Sequence, residues 1–329
     1  MNGIINIYKE KGYTSHDVVA KMRGILKMKK IGHTGTLDPE AEGVLPVCLG
    51  KGTKLVDLIT DKDKTYEAVM KLGLVTDTQD LTGQVLKRKE VTAGLPEITA
   101  AIKSFIGGYD QLPPMYSAIK INGKKLYELA RQGKEIERST RRVTIGDIRL
   151  LHYSEETHEV TVSVDCGKGT YIRTLLHDIG DALGCGGAMK SLVRTRVGSF
   201  LLKDALRLSE VEELTGQQRL SEHIVPVDEL FIGYKKIIIG KEYDRFVHNG
   251  NAFPPEYIEE TDYAVNRFVR NVKPDTPNLA AGGFDRISGQ DEPVGAGLKV
   301  RVYDAEQEFI GIYRFDPADG IFHPVKMFL

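Results

Sequence analysis

The chain has 329 residues, of which 41% are hydrophobic and 28% are charged. This composition is typical of a globular protein and excludes fibrous and wholly disordered classes. No apolar stretch approaches the ~20 residues of a membrane-spanning helix, and the N-terminus lacks the pattern of a signal peptide. The three cysteines, Cys48, Cys166 and Cys185, are widely spaced and form no paired motif, so they suggest neither a disulfide framework nor a zinc knuckle. We expect a cytoplasmic protein.

Charge is unevenly distributed although the net charge is only −1. Residues 1–203 carry 31 Lys and Arg against 24 Asp and Glu, whereas residues 204–329 carry 14 against 22. Bases cluster within the first part, between Val18 and Leu37 and again between Ser117 and Arg142. Such clusters are typical either of solvated helix faces or of a track for a phosphate backbone, and both interpretations stay open. The asymmetry indicates a polyanionic partner for the first part of the chain.

Several elements can be predicted in chain order. Thr14 to Asp17 resembles a capping box, and apolar residues at helical spacing then predict a helix from about Ser15 to Met28. Alternating apolar residues predict a strand that starts near Tyr66, and a second strand is predicted by Val160, Val162 and Val164. After a glycine turn, one apolar face predicts a helix from Ile172 to Leu183.

The stretch from Gly32 to Pro46 (GHTGTLDPEAEGVLP) contains the most informative carboxylate, Asp38. Gly32 and Gly35 permit tight turns, and Pro39 biases Asp38 toward an extended backbone. Asp followed by Pro is also typical of a helix start, with Asp38 as N-cap and Pro39 in the first helical position. The local residues favour the helix start, and the alternative is a carboxylate held in place for chemistry.

Arg173 lies in the first turn of the helix predicted after the glycine turn. An arginine at such a position is more often exposed to solvent. A strand, a glycine turn and an arginine in the first helical turn would equally suit a side chain aimed at an anion.

The sequence changes character near Phe231. Ile237–Ile239, Leu298–Val302 and Phe309–Phe315 predict short strands of a small β-rich domain. Helical periodicity predicts a helix over 257–272, within a stretch at 254–297 that holds five Pro and five Gly and is otherwise loop-like. We therefore predict two domains, residues 1–232 with a basic insertion at about 111–142, and residues 233–329 with an insertion at about 254–297.

Five segments of the chain form an ordered set of motifs. The first is the stretch from Gly32 to Pro46, with its continuation to Lys54. The others are KTYEA from Lys64, TDTQDLTG from Thr76, PPMYSAIK from Pro113 and KGTYIRTL from Lys168. Together and in this order they resemble the TruB family of bacterial tRNA pseudouridine-55 synthases, and the resemblance spans about residues 3–230. The resemblance implies an α+β fold with a mixed or antiparallel sheet core, flanking helices and an inserted basic loop. The β-rich tail resembles a PUA-type RNA-binding module.

The resemblance also implies roles for particular residues. Asp38 would be the catalytic aspartate, Tyr66 the aromatic residue that packs on the target base, and Arg173 the ionic partner of Asp38. A uridine in an RNA loop must be extruded to reach a carboxylate and needs an apolar surface to replace its lost stacking. Substrate-binding residues would include four more: His33, Leu192, Lys9 and Tyr116.

The implied reaction breaks the C–N glycosidic bond of a T-loop uridine in tRNA and rejoins the uracil through C5. It involves no redox change and no external nucleophile, so we expect neither a metal nor another cofactor. The partner would be the tRNA T stem-loop, and we expect a monomer that requires no membrane and no protein partner.

Three positions depart from the family pattern. Glu10 stands where proline is usual, the residues before Met189 lack a histidine, and Val193 replaces an arginine that commonly follows the leucine. Some of the family's RNA contacts could therefore be absent.

Other classes of function remain open alternatives. A non-catalytic tRNA-binding or folding protein would use the same basic clusters, and a guide-RNA-dependent relative would share the catalytic motif. A nucleotide-binding enzyme is suggested by Gly50–Lys54, but the full phosphate-loop spacing is missing.

Overall fold

The computed structural model describes residues 1–117, 119–121, 123–134, 136–261, 265 and 297–329. These residues divide into two compact units. The N-terminal unit comprises Ile5–Cys48 and Leu55–His223, and the C-terminal unit comprises Met1–Ile4, Leu49–Lys54 and Ile224–Leu329. The division places residues 224–232 in the C-terminal unit, whereas the boundary predicted from the sequence follows residue 232.

The described residues form strands throughout the chain, with helices between some of them. The strands are β1 (Gly3–Lys9), β2 (Ile31–His33), β3 (Glu42–Leu49), β4 (Lys64–Leu72), β5 (Leu74–Thr76), β6 (Val85–Arg88), β7 (Gly107–Gln111), β8 (Lys120–Ile121), β9 (Lys124–Lys125), β10 (Arg141–Ser154), β11 (Glu159–Cys166), β12 (Gly187–Val197), β13 (Phe200–Leu201), β14 (Ile224–Val225), β15 (Lys235–Ile239), β16 (Ile258–Thr261), β17 (Lys299–Tyr303), β18 (Phe309–Asp316) and β19 (Ile321–Met327). The helices are α1 (Ser15–Leu26), α2 (Val56–Thr60), α3 (Leu95–Ser104), α4 (Leu126–Ala130), α5 (Ile172–Ala182), α6 (Leu208–Gly216) and α7 (Asp244–His248). Within the described residues, no helix is long and apolar enough to span a membrane.

The N-terminal unit is built on one mixed sheet with the strand order β1-β3-β12-β4-β11-β10-β7. β3 and β12 are parallel, whereas β12, β4, β11, β10 and β7 pair antiparallel in succession. Helices α3 and α5 contribute to the apolar core on this sheet through Ile98, Ile102, Leu176 and Ile179. The predicted α+β fold is therefore confirmed.

The apolar pattern of β4 explains its place in the centre of the sheet. Tyr66, Ala68, Met70 and Leu72 are buried and alternate with less buried residues, as expected where one face of a strand meets the core. The predicted strand is confirmed, and Tyr66 lies near its beginning on the core face.

The capping box predicted before α1 is confirmed. The Asp17 backbone N–H donates to the Thr14 hydroxyl, and the Thr14 backbone N–H donates to the Asp17 carboxylate. The helix ends at Leu26, two residues before the predicted end, because Lys27 takes a left-handed backbone with φ of 49°. The chain then turns directly into β2.

The C-terminal unit contains a second sheet with the order β16-β15-β17-β18-β19, in which β15 and β17 are parallel. Its core is formed by aliphatic and aromatic side chains, among them Phe253, Tyr313 and Phe322. The three strands predicted from the apolar runs are confirmed as β15, β17 and β18.

Two predicted helix starts are wrong. The helix predicted over 257–272 does not begin at Tyr257, because Pro255–Tyr257 form a 3₁₀ turn and Ile258–Thr261 form β16, which pairs with β15. Of its remaining residues, Val265 is helical, and 262–264 and 266–272 lie outside the described residues. The helix start at Asp38 is also absent, because the chain forms a turn at Pro39 and Glu40 and then enters β3.

Gly43 allows β3 to approach β12 closely. Its φ is +105°, and a Cβ atom there would collide with the Arg194 carbonyl oxygen. Gly12 has a similarly positive φ of +88°, but a Cβ atom at that position would have no neighbour within 4 Å. Alanine substitutions at these two positions therefore distinguish the energetic cost of the backbone conformation, which both share, from the cost of the strand contact, which arises only at Gly43.

We expect Gly43→Ala to lower the free energy of unfolding in urea by at least ~2 kcal/mol more than Gly12→Ala. The left-handed backbone costs ~1–2 kcal/mol in either variant, and only Gly43→Ala also pushes β3 away from β12. Equal losses in the two variants would show that the close approach of the strands does not contribute.

Candidate active site

Asp38 lies in the loop between β2 and β3, and backbone contacts fix this loop on both sides of the carboxylate. The Leu37 N–H donates to the Ser15 hydroxyl at 2.9 Å, and the Gly12 N–H donates to the Pro39 carbonyl at 2.9 Å. The Ala41 N–H donates to the Asp38 carbonyl at 3.1 Å, which closes the turn. The Asp38 side chain keeps 40% of its surface exposed. The carboxylate is thus held in place and remains reachable from solvent.

Lys9 binds the backbone of the same turn from within the protein. Its side chain is fully buried, and its Nζ donates to the carbonyls of Ala41 at 2.5 Å, Pro39 at 3.2 Å and Glu10 at 3.2 Å. Burial lowers the pKa of Lys9 to about 8, against the attraction of Glu42 and Asp38. The structure therefore places this predicted substrate-binding lysine against the backbone of the turn that contains Asp38.

Arg173 reaches Asp38 from the first turn of α5. The Arg173 Nε lies 2.9 Å from Asp38 Oδ2, and the arginine side chain is only 6% exposed. The interpretation of Arg173 as a solvent-exposed residue is therefore wrong. The strand, glycine turn and helix start place its guanidinium against a carboxylate within the protein.

The Arg173 guanidinium has three further partners. Its Nη1 donates to the Thr78 carbonyl at 3.0 Å and lies 3.6 Å from Asp80 Oδ2, and its Nη2 donates to the Tyr116 carbonyl at 2.9 Å. Tyr116, a predicted substrate-binding residue, is thus joined through its backbone to the ion pair. One arginine therefore connects α5 with three other segments: the turn that contains Asp38, the segment after β5 and the basic insertion.

Asp80 and Ser15 were missed as contributors to the site. Asp80 lies inside the TDTQDLTG segment, and its Oδ1 accepts hydrogen bonds from Thr78 at 2.7 Å and from the Thr82 backbone at 3.0 Å. An aspartate followed by Thr and Gly is typical of an ordinary turn, so the local pattern held no signal that its second oxygen faces Arg173.

Tyr66 and Leu192 belong to one apolar cluster. Both are 7% exposed, and the cluster also contains Leu37 and Ala41, which flank Asp38 on either side. Burial raises the pKa of the Tyr66 hydroxyl, the charge of Arg194 opposes that shift, and the charge of Asp38 adds to it. The structure therefore brings Asp38, Arg173 and Tyr66 together, and it places Leu192 in the same apolar cluster as Tyr66.

His33 lies at the end of β2, and the ring of His16 packs edge-on against it with centroids 5.1 Å apart. Burial lowers the pKa of His33 to about 4, and the charges of His16 and Arg194 act in the same direction. His33 is therefore neutral near pH 7 and can offer an imidazole face or a single N–H to a ligand.

Two family models match adjacent parts of the chain. Residues 23–172 match the family described as TruB family pseudouridylate synthase (N terminal domain), and residues 173–232 match the tRNA pseudouridylate synthase B C-terminal domain. A tRNA pseudouridine synthase B from Lachnoclostridium phytofermentans is 51% identical over 100% of both chains. The chain belongs to the TruB family. It is accordingly a pseudouridine synthase, an isomerase, as the motifs implied.

Further relatives carry the same name. The tRNA pseudouridine synthase B of Alkaliphilus oremlandii is 49% identical over 79% of this chain and 86% of its own, and that of Clostridium perfringens SM101 is 47% identical over 87% of this chain and 96% of its own. The matches extend over most of each protein, so membership of the TruB family does not rest on the motifs alone.

Solved structures support the fold over nearly the whole chain. The structure titled "Crystal Structure of a Cbf5-Nop10-Gar1 Complex" matches with a TM-score of 0.65 and 25% identity, covering 99% of this chain and 85% of that one. An archaeal box H/ACA sRNP Nop10-Cbf5 complex matches with a TM-score of 0.63 and 23% identity, covering 100% and 86%. A PUA-like C-terminal domain is consistent with these matches.

Glu10, which departs from the TruB pattern, has its own partners. Its carboxylate lies 2.5 Å from Arg207 Nη1, and its carbonyl accepts from Lys9 Nζ. A proline at this position could keep the carbonyl contact but not the ion pair. The turn after β1 is therefore held in this chain by an additional charged contact.

We expect acid to destabilise the parent protein more than a His33→Gln variant. The pKa of His33 is depressed on folding, so the unfolded chain binds more protons between about pH 4 and pH 6.5. Stability is then lost as pH falls through this window, by up to ~1.4 kcal/mol per pH unit relative to the variant. Urea titrations at pH 7, 6, 5 and 4 measure the difference. Parallel curves for parent and variant would contradict a neutral, buried His33, and His152→Gln, at an exposed position of β10, serves as the control.

Proposed function

We propose that this TruB family enzyme converts uridine 55, in the T loop of tRNA, to pseudouridine. Its relatives in three clostridial species are named tRNA pseudouridine synthases. The observation that carries the proposal is the 2.9 Å ion pair between Arg173 and Asp38, which lies next to the apolar cluster of Tyr66 and Leu192. A charged pair beside an aromatic surface is what a flipped uracil requires.

The proposed substrate must leave its stacked position before it reacts. Asp38 is 40% exposed on its turn, whereas Tyr66 is almost entirely within the protein. The extruded uracil would replace its lost stacking with contacts to Tyr66 and Leu192, while neutral His33 would support the rearranged RNA loop.

Asp38 would carry the chemistry. The C1′–N1 bond breaks, the uracil turns, C5 bonds to C1′, the proton on C5 leaves and N1 takes up a proton, so that atoms balance without any added reactant. A carboxylate can act at the sugar or the base in the first stage and accept the C5 proton in the last. Arg173 would keep the carboxylate oriented through its short Nε contact, and Asp80 would orient Arg173 from the other side.

Exposed bases of the N-terminal unit would bind the RNA backbone. Lys27, Lys29 and Lys30 are exposed between α1 and β2, at the entrance to the catalytic turn, and Lys134 and Arg141 are exposed in the basic insertion. Charges that neutralise phosphates release counterions, so this contribution weakens with salt.

We also propose that the enzyme works in the cytoplasm as a monomer without a protein partner. The site residues named so far all come from one N-terminal unit of one chain. Light scattering of the free protein and of its tRNA complex tests this, and a protomer ratio above one to one would contradict it.

A tRNA transcript with tritium at uridine C5 tests the proposed reaction directly, because isomerisation releases that tritium to water. We expect release from position 55 with the parent and a loss of at least ~10³-fold with Asp38→Asn, since the amide is neither a nucleophile nor a base. Glu40→Gln is the matched control, because Glu40 lies on the same turn but pairs with Lys11 at 3.1 Å.

The alternative, a non-catalytic tRNA-binding protein, predicts the opposite result. It requires tRNA binding without tritium release from the parent, and unchanged function in Asp38→Asn. Release at a uridine other than position 55 would instead retain the reaction and overturn the proposed site on the tRNA.

We expect Lys29→Gln combined with Lys30→Gln to weaken tRNA binding at low salt. The slope of log K against log salt concentration should fall by about 1.4–1.8 in magnitude, because each phosphate contact contributes ~0.7–0.9. Filter-binding titrations between low and moderate salt measure this slope, with Asp38→Asn as a control that retains the parent slope. A slope equal to that of the parent would exclude both lysines from the RNA track.

A further inference from the structure

Arg194 is the largest of the fully buried side chains and is only 1% exposed. It lies in β12, between the two strands that carry the reactive parts of the site. Its backbone is in register with Tyr66 of β4 on one side and with Gly43 of β3 on the other. No pattern in the sequence predicts a role for this residue.

The Arg194 side chain joins three parts of the site. Its Nε donates to the Val44 carbonyl at 2.7 Å, in the strand that follows the catalytic turn, and its Nη2 donates to the Gly35 carbonyl at 3.2 Å, three residues before Asp38. The Tyr66 hydroxyl lies within the influence of the guanidinium, whose charge lowers its pKa, and Tyr66 is the residue opposite Arg194 on β4. One planar group therefore contacts both ends of the turn that holds Asp38 and lies on the strand next to the Tyr66 ring.

Two glycines of positive φ lie beside Arg194. Gly43 lets the β12 backbone at Arg194 approach β3, where any Cβ atom would collide with the Arg194 carbonyl oxygen. Gly35 has a φ of +139°, which strains any other residue, although a Cβ there would lie at an ordinary contact distance of 3.8 Å from Arg194 Nη1. The Asp38 turn thus lies close to the Arg194 backbone at its end and close to the guanidinium at its beginning.

The charge of Arg194 shifts the pKa of other groups in the site. Its two carbonyl partners and the Tyr66 hydroxyl are neutral and do not cancel this charge. Its charge lowers the pKa of both His33 and Lys9, adding to the effect of burial. Burying a charge is costly unless its donors are used, and a guanidinium offers five donors in a rigid plane. A lysine could keep the charge but could not donate to the Val44 and Gly35 carbonyls in the same fixed directions.

We propose that Arg194 is a positioning residue that holds the Asp38 turn and the Tyr66 ring in one fixed relation. Being buried, it acts on the reaction through these two elements and does not touch the RNA. This inference rests on the proposed function of the site, since it concerns the rate of the same isomerisation.

The test compares the single-turnover rate of tritium release, with enzyme in excess, with the Kd for the same tRNA. Arg194→Lys should lower the rate by about 10–100-fold, because small misplacements of reacting groups have effects of this size. Its Kd should stay within about two-fold of the parent, because the buried side chain makes no RNA contact. Arg196→Lys is the matched control: Arg196 lies on the same strand, is partly exposed and pairs with Asp165 at 3.2 Å, so the parent rate is expected.

A second variant approaches the same contact from the turn. Gly35→Ala strains the residue whose carbonyl accepts from Arg194, and it should also lower the rate without changing Kd. If the two residues act through one contact, the double variant loses less than the product of the two single losses. Circular dichroism at the assay temperature shows whether each variant is folded, and only the rates of folded variants are compared. If Arg194→Lys does not fold, Gly35→Ala still tests the contact.

Three results would overturn the inference. A parent rate in folded Arg194→Lys or in Gly35→Ala would show that the contact does not position the site. A loss of tRNA affinity that matches the loss of rate would make Arg194 an RNA contact. If the loss of rate in the double variant equals the product of the two single losses, the two residues act independently. A parent enzyme that releases no tritium from tRNA overturns the proposed function itself, a result distinct from these three.

Discussion

A half-exposed carboxylate held by an almost completely buried arginine is the contact on which the site depends. The Asp38 side chain is 40% exposed and Arg173 is 6% exposed, with 2.9 Å between them. An exposed carboxylate alone would move among rotamers, and a completely buried one could not meet an RNA base. The pairing meets both requirements because the arginine is fixed within the protein while part of the Asp38 side chain stays exposed to solvent.

Arg173 is fixed in turn by contacts from distant segments. It binds the carbonyls of Thr78 and Tyr116 as well as the carboxylates of Asp38 and Asp80. A buried cation without such partners would be strongly destabilising, so these contacts are needed for the arginine to be present at all. The position of Asp38 therefore depends on the segment after β5 and on the beginning of the basic insertion, neither of which is near Asp38 in sequence.

Sequence patterns correctly predicted the features that depend on interactions between neighbouring residues. The capping box before α1, the alternation in β4 and the apolar face of α5 follow from neighbouring residues, and all three are confirmed. The helix start at Asp38 was wrong because the contacts of the turn are not local. Lys9 binds the Pro39 carbonyl from 30 residues away, and this contact competes with helix formation after Pro39.

The parts of the site that the sequence left unassigned share one physical property. Asp80 and Arg194 act through partners that are distant in the chain: the Arg194 contact with Gly35 spans 159 residues, and that with Val44 spans 150. Periodicity reports which face of an element is buried, but it does not report what a charged side chain meets there. The same limit applied to Glu10, whose partner Arg207 lies 197 residues away.

The buried charges explain why a chain with a net charge of −1 can receive a polyanion. In the described part of the N-terminal unit, the charged residues that are buried are Lys9, Lys64, Arg173 and Arg194, all of them cations. Backbone carbonyls satisfy much of their hydrogen bonding, as at Lys9 and Lys64, but carbonyls do not neutralise charge. Arg173 is paired with the carboxylates of Asp38 and Asp80. The low dielectric around Lys9, Lys64 and Arg194 strengthens the positive potential that these residues contribute to the N-terminal unit, and a positive potential favours an anionic partner.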